Sequence, residues 1–439
     1  MAALTGASVY EKFNITSKDG KKTVSIIGGV LDFQYFENLY SPITTAIIEV
    51  ANTGNTVKGP DGDLQGVFNG LPIRGGERIH FQIKTPFDNL SGKSEPFDYV
   101  MYVDKILSYA TDKRAEHFIL HLVSREAITN EQTRISRKYT DPTIDKSIQQ
   151  ILSLVEPLQA ADLEKTENAF PFTGNMKHPL TWAVLLSKHA VPVGAKSKSA
   201  GFFFWQTKRG FVFKSMDGLV KFAKEKEKDA QKYYYRETMS NPYENQGESA
   251  TTVLTVQVNK SSDLRRSLNE GEKSSYRIFF NPLDFSFTQP NESLYTPDFK
   301  NILGEVEKPA AVADPENINA TQWAPRVLSG VANVGTLDVG VSTEFNYNPY
   351  QDQAQAAARY SSFSNIDLNI LVPVNTNLCA GDPVYLEFPK VNNFRETPEI
   401  DRKTSGLYII REITHKFLPT KSYTSMRVVK DSLGIKTKS

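Results

Sequence analysis

Cysteine is nearly absent from this chain of 439 residues: Cys379 is the only one. A lone thiol excludes an intramolecular disulfide and fits a reducing compartment. Charge of one sign is also lacking, since 51 Lys and Arg stand against 50 Asp and Glu. Proteins that grip nucleic acid by its phosphates carry a clear basic excess, so phosphate binding is not expected to be the main task. No run of about 18 apolar residues occurs, so no membrane-spanning helix is expected. The opening MAALTGASVYEKF lacks the basic start and apolar stretch of a secretory signal, and none is expected.

The usual signatures of catalysis are missing too. No G-x-S-x-G, H-E-x-x-H or G-x-G-x-x-G occurs. The GKS at Gly92–Ser94 hints at a phosphate loop, but Phe87 stands where that motif needs glycine. Asp61 and Asp63 open like a calcium loop, yet no further ligands follow at the right spacing, which leaves a polar turn. The 6 histidines are scattered. His117 and His121 lie on a strand-like run, and His178 and His189 would need tertiary help to share a metal. Ordinary hydrogen-bonded histidines are expected. Cys379 has no basic neighbour in sequence and reads as a small buried residue. The 50 carboxylates allow a glycosidase-like pair, but nothing points to one. No catalytic residue, metal ligand or cofactor is therefore assigned.

What the chain does have is a repeat. Gly406–Gly434, GLYIIREITHKFLPTKSYTSMRVVKDSLG, reads as two strands and a short turn. A similar piece, DYVMYVDKILSYATDKRAEHFILHLVSRE, occupies Asp98–Glu126. The likeness extends upstream to GERIHFQI (Gly76–Ile83) and GDPVYLEF (Gly381–Phe388). Each begins with glycine and an acid, then alternates: Ile79, Phe81 and Ile83 share one face, as do Val384, Leu386 and Phe388. Ile106 aligns with Ile413, Phe118 with Tyr423, and Arg125-Glu126 with Lys430-Asp431. Gly76 and Gly381 are expected to form the turns entering equivalent strands. Partner strands are expected at Pro42–Thr53 and Ile366–Thr376. The reading is two small antiparallel barrels separated by other material.

Between them, Ile144, Ile148, Ile151, Leu152 and Val155 mark an amphipathic helix, capped by Asp141 or Thr143 behind Pro142. A second helix is expected over Leu180–Ala190, with Trp182, Leu185, Leu186 and His189 on one side. Ala200–Leu219 reads as an aromatic hairpin turning at Lys208-Arg209-Gly210, its phenylalanines in a core. Lys221–Arg236 reads as a solvated helix or loop. Strand-like pieces follow at Thr251–Val258 and Ser275–Phe287. Gln289–Ala358 is rich in Pro, Asn, Ala and Gly and reads as a long irregular arm.

In order along the chain, four stretches resemble the baseplate central hub proteins of contractile-tailed bacteriophages, relatives of the hub portion of type VI secretion spike proteins. Tyr35–Thr53 with Gly70–Pro86 is similar to that family's first tube domain, and Gly201–Leu219 to its middle hairpin. Ser261–Phe287 is similar to the start of its second tube domain. Leu371–Pro389 with SGLYIIREITHKF and YTSMRVVKDSLG is similar to that domain's completion. The resemblance implies an α+β, mainly β chain with two pseudo-equivalent antiparallel barrel-like tube domains, an inserted mixed domain and the arm. The implied boundaries are 1–128 and 249–288 with 359–434 for the tube domains, 129–248 for the middle domain and 289–358 for the arm.

It further implies a structural, non-enzymatic homotrimer: a pseudo-six-fold ring that adapts a hexameric tail tube to a trimeric central spike. Baseplate wedge or neighbouring hub proteins and the tape-measure protein are implied partners, with DNA passing through the lumen unbound. The implied location is the virion tail baseplate, assembled in the host bacterial cytoplasm. Two other readings are a tail-associated cell-wall hydrolase with an unrecognised site and a glycan-binding module that stacks sugars on Trp205.

Overall fold

The computed structural model describes residues 6–55, 57–58, 62–85, 96–112, 115–155, 161–194, 201–235, 249–260, 264–271, 274–282, 285–287, 294–295, 302–304, 326–331, 349–390 and 400–432. The chain is mainly β. Its strands are β1 (Val9–Thr16), β2 (Thr23–Ser25), β3 (Val30–Asn38), β4 (Thr45–Thr53), β5 (Arg78–Lys84), β6 (Phe97–Thr111), β7 (Ala115–Val123), β8 (Phe202–Thr207), β9 (Gly210–Ser215), β10 (Gln231–Tyr234), β11 (Thr255–Lys260), β12 (Ile366–Pro373), β13 (Pro383–Glu387), β14 (Gly406–Phe417) and β15 (Ser422–Lys430), besides shorter or peripheral ones. The helices used below are α1 (Arg125–Gln132), α2 (Ile144–Leu152), α3 (Pro179–Ser187), α4 (Met216–Glu225), α5 (Leu264–Asn269) and α6 (Pro349–Phe363).

Two-residue periodicity makes the strands and sets their faces. In β5, Ile79, Phe81 and Ile83 are fully buried while His80 faces outward. In β7, Phe118, Leu120 and Leu122 point in, and His117, Ile119 and His121 point out.

The repeat is written in the hydrogen bonds. Gly76 N–H donates to Val103 O at 2.8 Å, and Val103 N–H to Glu77 O at 2.9 Å. Gly381 N–H donates to Ile410 O at 2.8 Å, and Ile410 N–H to Asp382 O at 3.0 Å. Each acid folds back on its turn: Glu77 accepts from the N–H groups of Arg74 and Gly75, Asp382 from that of Cys379, all at 2.9 Å. Both copies bulge just past this bond, at Asp104 and at Arg411. Ile106 opposes Leu120 as Ile413 opposes Met426.

Two expectations are corrected. Tyr109 opposes Phe118 where His415 opposes Thr424, so the partner of Phe118 is Thr424, not Tyr423. Val123 likewise matches Val429, which moves the Arg125 alignment from Lys430 to Asp431. A second bulge in β6, between Ile106 and Ser108, accounts for the slip. Face decides the matter, because one residue of offset turns a core side chain to solvent: Phe118 and Thr424 are buried, whereas Tyr423 is half-buried.

The two copies keep separate cores but are joined: one thirteen-stranded sheet runs through both, in the order β11-β12-β15-β14-β3-β4-β7-β6-β5-β1-β2, with β13 paired to β14 and β10 to β13. The joint is the antiparallel pairing of β14 with β3, Glu412 opposite Asn38 through Phe417 opposite Phe33. No ring of strands closes among the described residues. The core of the first copy accordingly takes in Val374 and Phe417 from the second.

The middle segment carries a core of its own, in which Ile144, Ile148, Ile151, Leu152 and Val155 of the α2 region meet Leu180 and Leu186 of α3 and Phe202, Phe204, Phe211 and Phe213 of the aromatic hairpin. Thr143 holds the N-cap position of α2, while Asp141 accepts from Ser147 and Gln150 inside the helix. Helix α3 stops at Ser187, so His189 lies beyond it. The first part of Lys221–Arg236 continues α4 and turns its charged run, Lys221 and Glu225 to Asp229, to solvent, as expected of a solvated helix; the departure is β10, which follows and pairs parallel to β13. Most of the expected arm 289–358 lies outside the described residues. Within it, Arg326–Val331 pairs parallel with Ser275–Asn281, and α6 begins at Pro349.

Candidate functional site

Helix, hairpin and both repeat copies converge on the tip of β8–β9. Gln206 is fully buried and bridges to the first copy: its Oε1 accepts from Thr44 N–H at 3.1 Å and Ser124 Oγ at 2.8 Å, and its Nε2 donates to Glu126 at 2.8 Å. Trp205 reaches the second copy, donating from Nε1 to Ala380 O at 3.0 Å. Lys208 N–H and Ala380 N–H donate to the two oxygens of buried Glu37 at 2.7 and 2.9 Å, and Tyr35 OH adds a third bond at 3.0 Å. Lys208 Nζ donates to Thr376 O, and Arg209 pairs with Asp382 at 2.9 Å. One carboxylate on β3 thus ties the hairpin to the turn at Gly381.

The electrostatics of this junction are those of a sealed joint. Burial pushes the Glu37 carboxyl up to about 7, against its three donors, which favour the charged form. Burial, aided by the charge of Lys208, holds His415 down at about 3. Its ring lies between Thr424 Oγ1 at 3.0 Å and Leu378 O at 3.3 Å. Burial also raises the Cys379 thiol well above its usual range. Glu164, raised by burial, accepts from Ser215 N–H at 2.7 Å and Ser215 Oγ at 2.9 Å. These acids spend their oxygens on fixed protein donors.

Gly76 and Gly381 stand before β5 and β13 with φ of +91° and +93°, a backbone region that glycine enters at no steric cost. A Cβ on Gly381 would meet Trp205 at 2.7 Å. Trp205 itself is 1% exposed and so offers no surface for the alternative reading of a sugar-stacking module. His117 is hydrogen-bonded to Glu49 at 2.7 Å, His121 to Asp104 at 3.0 Å, and His178 Nδ1 to Asn130 O at 2.8 Å, while the ring of His189 stacks on Phe170 at 4.5 Å. Among the described residues no cluster of three His, Cys, Asp or Glu could hold a metal. Asp61 and Gly92–Ser94 lie outside the described residues. Glu37 and Gln206 were not singled out in the sequence, since a lone polar residue amid apolar ones does not say what it will face.

The remaining feature is a pair of open strand edges. β6 is paired with β5 only through Phe97–Tyr102. From Asp104 to Thr111 its outer edge has no strand beside it among the described residues, and all eight residues are exposed. At one end of the sheet, β11 pairs only with β12 among the described residues. The outward face between these edges is paired in charge: His80–Asp98, His117–Glu49, His121–Asp104, Lys416–Asp32, and Arg427 with Asp367 and Glu412.

No family model and no curated protein matches the sequence. Solved structures do match. The tail protein from Neisseria meningitidis superposes with a TM-score of 0.52 at 8% identity, over 97% of each chain. The chain has the fold of a tail protein. The 43 kDa tail protein of prophage MuSo2 from Shewanella oneidensis gives a TM-score of 0.49 at 11% identity, over 97% of this chain and 100% of that one. A Francisella PdpA–VgrG complex gives 0.47 at 8% identity, over 99% of this chain and 55% of that one.

Proposed function

We propose that this chain is the structural hub of a contractile tail baseplate, three copies of which form a ring without catalytic activity. One observation carries the reading: the two open edges of the sheet complement each other in the way its two halves already do. Inside the chain, the edge of β14 beyond β13 is taken by β3. The edge of β6 beyond β5 is its equivalent and is open. β11 stands to β12 as β3 stands to β4, and its far edge is open.

Carrying the β14–β3 register across the repeat sets Ser108 opposite Lys260, Tyr109 opposite Val258, Ala110 opposite Gln257 and Thr111 opposite Val256 of the next copy. Tyr109 and Val258 are 37% and 58% exposed, yet their equivalents, His415 and Tyr35, are fully buried. A neighbouring copy would cover them. Such a head-to-tail contact, repeated by rotation, closes into a ring.

The number three follows from the resemblance to baseplate hubs, as do the finer partners: a hexameric tail tube on one face, a trimeric spike on the other, wedge or neighbouring hub proteins outside, and tape-measure protein and DNA in the lumen. The designation of the Neisseria structure as a tail protein agrees with a place in the virion tail, after assembly in the host cytoplasm. If the outward face of the sheet lines the lumen, the ion pairs on it reduce the basic charge that DNA could grip. Cell-wall hydrolysis, the alternative, gains nothing from Glu37 and Glu164, whose oxygens are engaged inside the fold.

Light scattering across a concentration series tests the ring. The expected mass is three times the 49.2 kDa chain, falling to one chain in a Val258→Glu variant whose circular dichroism is unchanged. A single-chain mass at every concentration, with the spike protein added as well, would contradict it.

A further inference from the structure

Beside the point where the β6 edge opens lies a groove of about 790 Å³, between the first copy of the repeat and helices α1 and α3. Its floor is apolar, with Ile43, Val123, Ile128 and Val184, and its rim carries Asp104 and Glu131 together with Lys18 and His121. Gly76 and Val103 form one wall.

The equivalent surface of the second copy is not open. Around Gly381 and Ile410 it is covered by the residues that follow β3. Leu39 N–H donates to the carbonyl of the bulged Arg411 at 3.0 Å, and the Leu39 side chain stands 3.6 Å from where a Gly381 Cβ would be. The ring of Tyr40 lies 4.8 Å from the Arg411 guanidinium. The internal contact thus has two parts, a strand pairing and a cap formed by the segment after the strand.

We propose that the groove is the seat of the segment following β11, residues 261–268, of a neighbouring copy. This rests on the ring reading and adds a second, separable contact to it. The repeat fixes the alignment: Phe36 opposes Thr45 as Lys260 opposes Asp367, so by count Leu264 corresponds to Tyr40, each four residues on. The bulged residue it meets is Asp104 in place of Arg411. Leu264 is followed by Arg265, which faces solvent, and by Arg266, which pairs with Glu270 at 2.6 Å, while the groove presents Asp104, paired with His121, and the exposed Glu131. An apolar floor with the exposed Glu131 at its rim suits a segment that carries Leu264 and the solvent-facing Arg265.

Two engineered cysteine pairs in the full-length chain separate this contact from the ring itself. Asp104→Cys with Leu264→Cys reports the groove, and Tyr109→Cys with Val258→Cys reports the strand edge. Interchain disulfides from both pairs are expected on oxidation. Crosslinking by the edge pair alone would overturn the groove assignment and leave the ring standing; crosslinking by neither would overturn the ring. Glu131→Arg is expected to raise the concentration at which the assembly dissociates by about fivefold, and adding Arg265→Glu to the same chain to restore it. A Glu131→Arg variant that dissociates like the unaltered protein would also count against the seat.

Discussion

At the scale of single residues, Gly76 and Gly381 do the same backbone job under different crowding. Both sit at positive φ, so a side chain at either is strained by about 1–3 kcal/mol. Beside Gly76 the nearest atoms to a new Cβ belong to the flexible Lys18 chain, at 3.5 Å; beside Gly381 the Trp205 ring stands at 2.7 Å. Alanine is therefore expected to cost about 1–2 kcal/mol at Gly76 and at least about 3 kcal/mol at Gly381, where overpacking adds to strain. Urea unfolding midpoints check the order, and equal losses at the two sites would contradict it.

Both glycines were legible because a glycine–acid pair before an alternating strand is a local signal. The alignment of Phe118 was not legible to the residue, because a bulge inserts one position without changing the apolar pattern. Glu37 and Gln206 were illegible for another reason: their partners lie far along the chain, at Ala380 and Glu126 among others.

Among elements, α6 shows how a helix is pinned by charge rather than by apolar burial alone. Arg359 is 1% exposed and pairs with Asp217 at the start of α4 at 3.1 Å and with Asp431, just after β15, at 2.7 Å. Removing the cation takes the counter-charge from Asp217 and from buried Asp431, which costs about 3–5 kcal/mol. Arg359→Met is expected to lose that much in chemical denaturation. A loss below about 1 kcal/mol would mean that the acids find other partners or water. Helices α2 and α3 and the aromatic hairpin could be read from periodicity and turn residues. β10 could not, because Gln231–Tyr234 follows a charged helix and becomes a strand only by lying parallel to β13. Nor could the merging of the two copies into one sheet, since the pairing of β3 with β14 joins residues nearly the length of the chain apart.

For the whole molecule, the account turns on reuse. The contact that joins the two copies within a chain leaves one unsatisfied edge of each kind among the described residues, along Asp104–Thr111 of β6 and along β11. Exposed edges of this length invite pairing with another chain, and here the register is dictated by the internal example. The most direct measurement takes a double variant, Ala110→Cys with Gln257→Cys, through oxidation and denaturing electrophoresis beside each single variant. The account predicts interchain-linked species of two and three chains with none larger, and no ladder from either single variant. A double variant that stays a single chain, or a ladder that climbs without stopping at three, would contradict it.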